Sequence, residues 1–329
     1  MKKRILITGA TGFVGFHLIE SALSSDLHVF ANTRLSSKVE HLQSLNIDFV
    51  ELDFESIYAL SKNIEENKYD YVIHAAAVTK AKNLEEYNKY NALYARNLAI
   101  AVSNATHKVE KFVFVSSLAA MGPLKNTSEL INEQGALNPV TYYGKSKALA
   151  ETYLSNIQNL PLLVFRPTAV YGPRERDILM VLRAISRGFE VYMGNANQKL
   201  SFVYVKDLAE IMISSLQSNV VNRTYNVTDG HIYGRASLSE SARRIMQKKT
   251  FKLTVPLPLI KGIAWSMEKA YKFTGNMPTL NIDKVNELTG INWACDIGKI
   301  KKDLGFSPQY QLQQGLEETI KWYKSNKWL

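Results

Sequence analysis

Residues 9–15 read Gly-Ala-Thr-Gly-Phe-Val-Gly and directly follow the apolar run Arg4–Thr8. Behind them, Val14–Ser24 carries apolar side chains at three-to-four spacing, which is typical of an amphipathic helix. Three glycines between a strand and a helix let the backbone turn tightly and bring a phosphate group to the positive end of the helix. The segment therefore predicts a phosphate-binding turn at the start of an α/β sheet.

Each glycine of this turn has its own predicted task. The first allows the tight turn, the second lets the backbone approach a pyrophosphate, and the third permits close packing of the helix. Glycine strings are common in turns, so the position after the first strand carries the prediction. We expect a dinucleotide to contact Gly9, Thr11, Gly12, Phe13, Val14 and Gly15.

The first half of the chain alternates short apolar runs with helical patterns. Strands are predicted at Arg4–Thr8, His28–Thr33, Ile47–Leu52, Tyr71–Ala77, Lys111–Ser117 and Leu162–Arg166. Helices are predicted at Val14–Ser24, Tyr90–Asn104 and Tyr143–Asn156. Several strands lack two-residue alternation and should be buried on both faces. The pattern predicts an α/β fold with a doubly wound parallel sheet of the Rossmann type.

The rhythm changes after Tyr171, where glycines and prolines punctuate shorter elements. We expect residues 1–172, with about 202–228, to form the dinucleotide-binding domain. Residues 173–201 and 229–329 should form a smaller, mixed α/β substrate lobe. At 329 residues and 46% hydrophobic composition, the chain is long enough for both.

Composition limits the classes of function. The formal net charge of +10 comes from Lys and Arg spread along the chain, so a nucleic-acid partner is not expected. No run of about 18 apolar residues occurs, so we expect no membrane span and no stable membrane association. The single Cys295 can form no intramolecular disulfide and lies in no metal-ligand cluster. A cytoplasmic protein without a metal site is therefore expected.

The end of the second predicted strand bears on the choice of cofactor. A carboxylate about 20 residues after the glycine turn would bond the adenosine 2′-hydroxyl. The sequence has Asn32-Thr33-Arg34 there, and Arg34 with Ser36, Ser37 and Lys38 could clamp a 2′-phosphate instead. This favours NADP, with NAD as the alternative and a merely solvated Arg34 left open.

Tyr143 and Lys147 lie four residues apart on a predicted helix, so both project from one face. The spacing alone is weak, because two other tyrosine–lysine pairs share it. Only Tyr143 follows, by 26 residues, a buried strand that ends in Ser116-Ser117. Ser117 would emerge at the carboxyl edge of the sheet, where doubly wound folds bind ligands. We predict that Ser117, Tyr143 and Lys147 are catalytic.

Lys147 has two predicted tasks. A free tyrosine titrates near about 10, too high for a base at neutral pH. The Lys147 ammonium, together with the positive ring of an oxidised nicotinamide, would lower the pKa of Tyr143. Lys147 could also hold the nicotinamide ribose beside the substrate.

These residues resemble a known family, the extended short-chain dehydrogenases/reductases, which includes NAD-dependent epimerase/dehydratase domains. The resemblance covers nearly the whole chain and is nearest to 3β-hydroxysteroid dehydrogenases and dihydroflavonol reductases. The matching segments are the glycine turn, Asp53, His74–Ala77, Asn91 with Arg96–Leu98, Ser116-Ser117, Tyr143 with Lys147, Arg166–Thr168, Tyr171–Pro173, Phe202–Asp207 and Leu304–Pro308.

The resemblance implies roles for several residues. Asp53 would bond the adenine amino group, and Ser117 would orient the substrate oxygen. Asn91 and Asp207 would be structural. Contacts to the cofactor would also come from Phe54, Ala75, Ala76, Ala77, Ser116, Tyr143, Lys147 and Pro167. The family usually dimerises through two helices per subunit, which here would be Tyr90–Asn104 and Tyr143–Asn156.

The reaction should depend on the substrate lobe, because the family's classes share the catalytic residues. Sugar-nucleotide enzymes commonly carry an arginine two residues before Phe202, where this chain has Leu200; Lys199 would point to the opposite face. Dehydratases carry Asp-Glu after the catalytic hydroxyl, where this chain has Leu118-Ala119. We therefore expect a reversible ketone reductase or alcohol dehydrogenase with a small, possibly apolar substrate. A sugar-nucleotide epimerase is the alternative, and a non-catalytic cofactor-binding regulatory protein is the third hypothesis.

Residues 256–273 are apolar and aromatic, with Trp265, Met267 and Tyr271 among them. They could form a wall or lid for an apolar substrate. An ordinary amphipathic helix buried against the lobe is equally compatible with the pattern. A transient contact with a membrane surface is a weaker alternative.

Overall fold

A parallel sheet of seven strands organises this structure, a computed structural model that describes residues 2–193, 196–274 and 281–329, with the backbone alone for 270–274. The strands in chain order are β1 Arg4–Thr8, β2 His28–Asn32, β3 Asp48–Val50, β4 Tyr71–His74, β5 Lys111–Val115, β6 Leu162–Pro167, β7 Ala169–Tyr171, β8 Phe189–Tyr192, β9 Lys199–Leu200, β10 Phe202–Tyr204, β11 Arg223–Val227, β12 Tyr233–Gly234 and β13 Phe251–Thr254. In space the sheet runs β11-β6-β5-β4-β1-β2-β3.

Helices cover both faces of this sheet. In chain order they are α1 Phe13–Ser24, α2 Ile57–Asn67, α3 Leu84–Asn88, α4 Tyr94–Asn104, α5 Tyr142–Ser155, α6 Asp177–Ser186, α7 Val205–Ser215, α8 Ser237–Met246, α9 Leu257–Thr274, α10 Ile282–Leu288, α11 Gly298–Leu304 and α12 Leu312–Ser325. A π-helical segment, Lys89–Leu93, joins α3 to α4, and a 3₁₀ turn, Leu118–Ala120, follows β5.

Alternate residues of each central strand pack into different layers. Ile5 and Ile7 of β1 belong to a core with α1, α7 and α11, whereas Leu6 belongs to a core with α2, α4 and α5. All three β1 side chains are fully buried. The predicted doubly wound α/β fold is therefore confirmed, and the lack of two-residue alternation has this two-sided burial as its cause.

Four strands end earlier than predicted: β2 stops at Asn32, β3 at Val50, β4 at His74 and β5 at Val115. Residues 75–77 therefore lie beyond β4, while the Ser116 amide still donates to Phe165 O at 2.8 Å. The amide of Ala76 donates to the Thr8 side chain at 3.1 Å and not to a neighbouring strand. The predicted helix Tyr90–Asn104 is also longer in the structure, since helical backbone begins at Leu84 behind an Asn83 cap.

The lobe is built from short paired strands. β8 pairs with β13 and β7 with β10 in parallel, and β9 pairs with β12 in antiparallel orientation. After these excursions, β11 returns to the central sheet beside β6. Ile300 of α11, from the C-terminal part of the chain, packs into the core of the central sheet. The domain division at residue 172 stays a prediction.

Candidate functional site

The predicted site residues gather at one edge of the central sheet. Thr8, His74, Ser116 and Pro167 lie at or just after the ends of β1, β4, β5 and β6, which are adjacent strands. Because all these strands are parallel, their carboxyl ends share one edge. A surface cavity of about 600 Å³ lies elsewhere, beside residues 222–224 at the amino end of β11, and does not belong to this site.

Close contacts with neighbouring backbone fix the shape of the glycine turn. Gly9 has φ +71°, and a Cβ there would lie 2.7 Å from the Ala76 nitrogen. A Cβ at Gly15 would lie 2.1 Å from the Gly9 carbonyl oxygen, so larger residues cannot keep this geometry. Gly12 N donates to Gly9 O at 2.9 Å and is the N-cap of α1.

The start of α1 suits an anionic group. Among the described residues, no side chain caps this helix, so its first-turn amides remain open toward the edge of the sheet. Phosphate is the group that such amides bind best, because the helix dipole adds to their hydrogen bonds. The turn at Gly9, Gly12 and Gly15 therefore fits the pyrophosphate of a dinucleotide.

A buried histidine supports the same turn from below. His74 Nδ1 and Thr8 Oγ1 lie 2.9 Å apart, and Thr8 Oγ1 also accepts from the Ala76 amide. Burial lowers the pKa of His74 to about 3, and the charge of Lys147 adds to this effect. The imidazole is therefore neutral at physiological pH and links the ends of β1 and β4 as a structural group.

The loop after β3 holds Asp53, expected at the adenine, and Phe54, expected to contact the cofactor. Asp53 is exposed, and its Oδ1 accepts from the Glu55 amide at 2.9 Å. The Phe54 ring stacks on Tyr94 with centroids 5.4 Å apart, and Asn97 Nδ2 donates to the Phe54 carbonyl at 2.9 Å. α4 therefore fixes this loop and leaves the Asp53 carboxylate facing solvent.

Arg34 is exposed in a turn after β2, where its amide donates to Ser37 Oγ at 3.1 Å. The structure also brings a carboxylate to this turn, since Glu51 Oε1 accepts from the Leu35 amide at 3.3 Å. The contact of Glu51 with this turn has no signal in the sequence, because Glu51 lies on the loop after β3 and reaches the turn only through the pairing of β2 with β3.

Ser117 and Tyr143 meet across the edge of the sheet. Ser117 leads into the 3₁₀ turn, and its Oγ accepts from the Ala119 amide at 3.1 Å. Tyr143 lies in the first turn of α5, which Thr141 caps by accepting from the Gly144 amide at 2.9 Å. A Cβ on Gly144 would lie 2.3 Å from the Ala119 carbonyl, so the missing side chain lets α5 approach Ser117.

The protein environment of Tyr143 favours the protonated form of its phenol. Burial raises the pKa of Tyr143, and the nearby Glu287 carboxylate raises it further, while a hydrogen bond from Ser117 opposes both. The sequence predicted a lowered pKa for this phenol with an oxidised nicotinamide bound beside it, and that stays a prediction. Burial outweighs the neighbouring cation, because Lys147 Nζ lies 6.0 Å from the centre of the Tyr143 ring and donates elsewhere.

Lys147 is fully buried behind Tyr143. Its Nζ donates to the Val115 carbonyl at 2.8 Å and lies 4.7 Å from the centre of the Phe114 ring. Burial lowers the pKa of Lys147 to about 7, although the Glu151 carboxylate acts in the opposite direction. The structure thus brings Ser117, Tyr143 and Lys147 together, with the ammonium held on the strand side of the phenol.

A buried ion pair below the site was not predicted from the sequence. Arg166 Nε lies 2.9 Å from Glu151 Oε1, and the Ser116 hydroxyl donates to the same carboxylate. Glu151 and Arg166 are both less than a tenth exposed. Ser116 is therefore committed to this pair at the end of β5, with its side chain turned into the protein. Glu151 had no distinguishing signal, since a charged helix residue is ordinarily solvent-exposed.

Asn91 connects two parts of the site. It is fully buried in the π-helical segment, where Oδ1 accepts from the Val78 amide at 2.8 Å and Nδ2 donates to the Val78 carbonyl at 3.0 Å. Nδ2 also donates to Ser146 Oγ at 2.9 Å. Asn91 therefore ties the loop after β4 to the helix that carries Tyr143 and Lys147.

The lobe reaches the site through α10. Asp283 Oδ2 accepts from the Tyr142 amide at 2.6 Å, which docks the start of α10 on the start of α5. Lys284 Nζ lies 3.2 Å from Glu287 and 3.5 Å from Asp177. The sequence alone does not point to Asp283, Lys284 or Glu287, because they follow Tyr143 by more than 130 positions and carry no motif.

The strand that precedes Phe202 leaves little room for a cation at its centre. Leu200 packs with Phe202 and Tyr233 in an apolar cluster. Lys199 is held by its backbone, since its amide donates to Ile291 O at 2.9 Å and its carbonyl accepts from Trp293 N at 2.8 Å. A shift that brought Lys199 to the position of Leu200 would break both bonds.

Helix α9 covers most of the apolar stretch 256–273. Ile260 and Ala264 are buried against the lobe, whereas Leu259, Ile263, Trp265 and Met267 are exposed. The side chain of Tyr271 lies outside the described residues. No helix in the described part of the chain has the length and apolar content needed to cross a bilayer.

Comparisons with known proteins agree with this geometry. A family model described as "NAD dependent epimerase/dehydratase family" matches residues 5–228. UDP-glucose 4-epimerase of Vibrio cholerae is 28% identical, covering 97% of this chain and 95% of that protein. Sterol-4-alpha-carboxylate 3-dehydrogenase (decarboxylating) of Saccharomyces cerevisiae is 22% identical, covering 97% of each. The crystal structure of dTDP-glucose 4,6-dehydratase from Bacillus anthracis in complex with NAD superposes with a TM-score of 0.78 at 22% identity, covering 99% and 98%.

Proposed function

The chain belongs to the NAD dependent epimerase/dehydratase family, and from that membership we propose that it is a reversible NADP(H)-linked oxidoreductase acting on a ketone or secondary alcohol. The observation that carries the proposal is the meeting of Ser117, Tyr143 and Lys147 at the edge of the sheet that bears the open glycine turn. A small, apolar molecule is the proposed substrate.

The proposed chemistry assigns one task to each residue. A bound nicotinamide supplies or accepts the hydride. Tyr143 gives its phenolic proton to the substrate oxygen during reduction and takes it back during oxidation. Ser117 holds that oxygen by a hydrogen bond, and the buried Lys147 places a cation behind the phenol when it is protonated.

Features of the lobe and of the 3₁₀ turn support a reductase over the other classes. Leu118 and Ala119 are buried and offer no acid or base for the removal of water. Leu200 is apolar where a diphosphate would need a cation, and the backbone bonds of Lys199 hold it in place. The yeast relative is a sterol dehydrogenase by its name, which is compatible with an apolar substrate.

The Tyr143→Phe variant tests the proposed chemistry. Turnover should fall by about two to four orders of magnitude, because the proton donor is lost while the ring remains. Tyr142→Phe is the matched control, since Tyr142 is the exposed neighbour on the same helix. Both variants should still bind the cofactor, as measured by thermal shift. Equal turnover of Tyr143→Phe and wild type would overturn the assignment.

A sugar-nucleotide epimerase remains the second candidate, favoured by the Vibrio relative. The two reactions differ in cofactor balance. The oxidoreductase changes the near-ultraviolet absorbance of the nicotinamide steadily with substrate, whereas an epimerase restores its cofactor in every turnover. Epimerisation of a UDP-sugar without net change of the cofactor would replace the first proposal.

NADP is the proposed cofactor, with NAD as the alternative. Arg34 supports NADP, because it is exposed in the turn after β2 where the sequence predicts a 2′-phosphate, and Asn32 stands where a carboxylate would be expected to bond the 2′-hydroxyl. Glu51 beside Leu35 is the feature that would support NAD. Arg34→Ala should weaken NADPH binding about tenfold or more and leave NADH binding unchanged. Titration of both cofactors decides, and unchanged NADPH affinity would show that Arg34 is only a surface residue.

Two further assignments belong to the proposal. The cytoplasm is the proposed compartment, and a homodimer formed through α4 and α5 is the proposed assembly.

A further inference from the structure

The small sheet of β8 and β13 carries exposed apolar side chains. Phe189 pairs with Phe251 and Val191 pairs with Leu253 in parallel register, so all four side chains lie on one face. Phe251 is 67% exposed, Phe189 51%, Leu253 46% and Val191 43%. On the opposite face, Glu190 and Tyr192 of β8 are buried, whereas Lys252 and Thr254 of β13 are exposed. The sheet thus presents an apolar side to solvent.

Helix α9 follows β13 after the connecting Val255-Pro256 and carries further exposed apolar side chains. Leu259, Ile263 and Met267 repeat every four residues and are exposed on one side of the helix. Trp265 is 57% exposed, but it lies about 160° around the helix axis from Ile263 and Met267, because successive helical residues are about 100° apart. We call the exposed residues of β8 and β13, together with Leu259, Ile263 and Met267 of α9, the apolar surface.

The segment of the chain that carries β13 and the start of α9 is strongly basic. Residues 243–269 contain seven Lys or Arg and one Glu, a net charge of +6 out of +10 for the whole chain. Arg243 pairs with Glu190 and Lys252 with Glu240. The exposed side chains of Arg244, Lys248, Lys249 and Lys261 have no ion-pair partner among the described residues. The one acidic residue, Glu268, is partly buried and accepts from the Ile282 amide.

This combination selects one occupant. A second copy that used the same patch would bring the same uncompensated cations against each other, which opposes a symmetric contact. A surface with aromatic and aliphatic side chains on a strongly basic segment is instead the pattern of proteins that lie on an anionic bilayer. Lysine stems can cover apolar contacts while their ammonium groups reach phosphate.

We propose that the apolar surface docks this protein reversibly on an anionic lipid bilayer, with the aromatic side chains in the interface and the lysines on lipid phosphates. The proposal goes beyond the proposed reaction and does not depend on it, because no residue of the apolar surface belongs to the catalytic site. Docking would be peripheral, since the exposed groups lie on the faces of folded elements.

Sedimentation with lipid vesicles tests the proposal on the full chain. The protein should sediment with vesicles of equal parts phosphatidylcholine and phosphatidylglycerol, and much less with phosphatidylcholine alone. High salt should release it, because the attraction is partly electrostatic.

Matched variants locate the contact. Phe251→Ser combined with Leu253→Ser should weaken binding to the mixed vesicles, whereas Tyr58→Ser should not, although Tyr58 is 80% exposed. Lys248→Glu with Lys249→Glu should weaken binding about tenfold or more. Lys321→Glu with Lys324→Glu on α12 is the charge control and should have a smaller effect.

Three outcomes would overturn the proposal. One is the absence of sedimentation with the mixed vesicles at low salt. Another is equal binding by the surface variants and their controls. The third is conversion of a dimer to a monomer by the Phe251→Ser and Leu253→Ser changes, which would assign the surface to a second copy. Catalytic turnover is measured separately, so that its loss or retention leaves the lipid result unaffected.

Discussion

Burial shifts Tyr143 and Lys147 toward their uncharged forms. It raises the pKa of the phenol and lowers the pKa of the amine to about 7. At neutral pH the phenol therefore keeps its proton, and the amine is poised between its two states. The residues by themselves favour proton donation to a substrate oxygen. Proton removal from an alcohol needs a further positive charge near the phenol, which an oxidised nicotinamide would carry.

The pKa of Lys147 makes a prediction about stability. Between pH 7 and its ordinary value of 10.5, the unfolded chain holds a proton on this lysine that the folded chain has released. The free energy of unfolding should therefore rise with pH over this window, by up to about 1.4 kcal/mol per pH unit from this one group. In Lys147→Met this contribution should vanish. Urea denaturation at several pH values from 7 to 9 measures it.

Lys145→Met provides the control for this experiment, since Lys145 is exposed on the same helix. It should keep the wild-type dependence on pH. Parallel pH profiles for wild type and Lys147→Met would contradict a lowered pKa for the buried amine.

Single residues of the site were predictable where a motif and its position agreed. The glycine turn and the Ser117, Tyr143 and Lys147 set could be chosen from sequence, because each follows a recognisable strand or opens a helix. Glu51 and Glu151 could not be chosen, since their importance comes from neighbours on other elements. The effect of burial on the Tyr143 pKa was missed at the sequence level, because spacing shows a nearby lysine but not the degree of burial.

At the scale of elements, close packing of α5 on the 3₁₀ turn positions the phenol. Gly144 permits it, because a Cβ there would lie 2.3 Å from the Ala119 carbonyl. The Thr141 cap and the bond from the Tyr142 amide to Asp283 fix the same end of the helix. The first turn of α5 is thus held by contacts to the turn after β5 and to the lobe.

The contrast between two helical glycines tests this packing. Alanine at a helical glycine ordinarily stabilises a protein by about 0.5–1 kcal/mol. Gly262→Ala in α9 should do so, because a Cβ there meets nothing within 4 Å. Gly144→Ala should instead destabilise by about 1–3 kcal/mol and lower turnover, because α5 must move away from Ser117. Denaturant titration and turnover of both variants measure the difference. Stabilisation by Gly144→Ala would show that the contact is looser than the structure has it.

Elements of the first half were predicted better than those of the lobe, for a physical reason. Central strands are buried on both faces and leave continuous apolar runs, so β1 was predicted with its observed ends. The strands of the lobe contain only two to four residues and carry weaker patterns. α10 lies beside α5 through contacts formed across more than 130 residues, which no local signal encodes.

At the scale of the whole molecule, the two layers of helices have different neighbours. α1, α7 and α11 cover one face of the sheet, and α11 comes from the C-terminal part of the chain. α2, α4 and α5 cover the other face. The order of the sheet strands follows from the right-handed crossovers of a doubly wound fold. The chain leaves the central sheet after β6 and returns to it as β11, after β8, β9 and β10 have formed parts of smaller sheets.

The last prediction concerns assembly. α4 and α5 pack side by side, with the Arg96 guanidinium 5.6 Å from the centre of the Tyr153 ring, and Leu149 and Tyr153 remain partly exposed along them. Pairing of these helices with a second copy would bury that surface. Light scattering should then give twice the chain mass of 37.2 kDa. Leu149→Glu with Tyr153→Glu should give the single-chain mass, because buried carboxylates without partners oppose association. Tyr58→Glu on α2 should remain dimeric. A single-chain mass for the unaltered protein would show that the family's usual dimer does not extend to this chain.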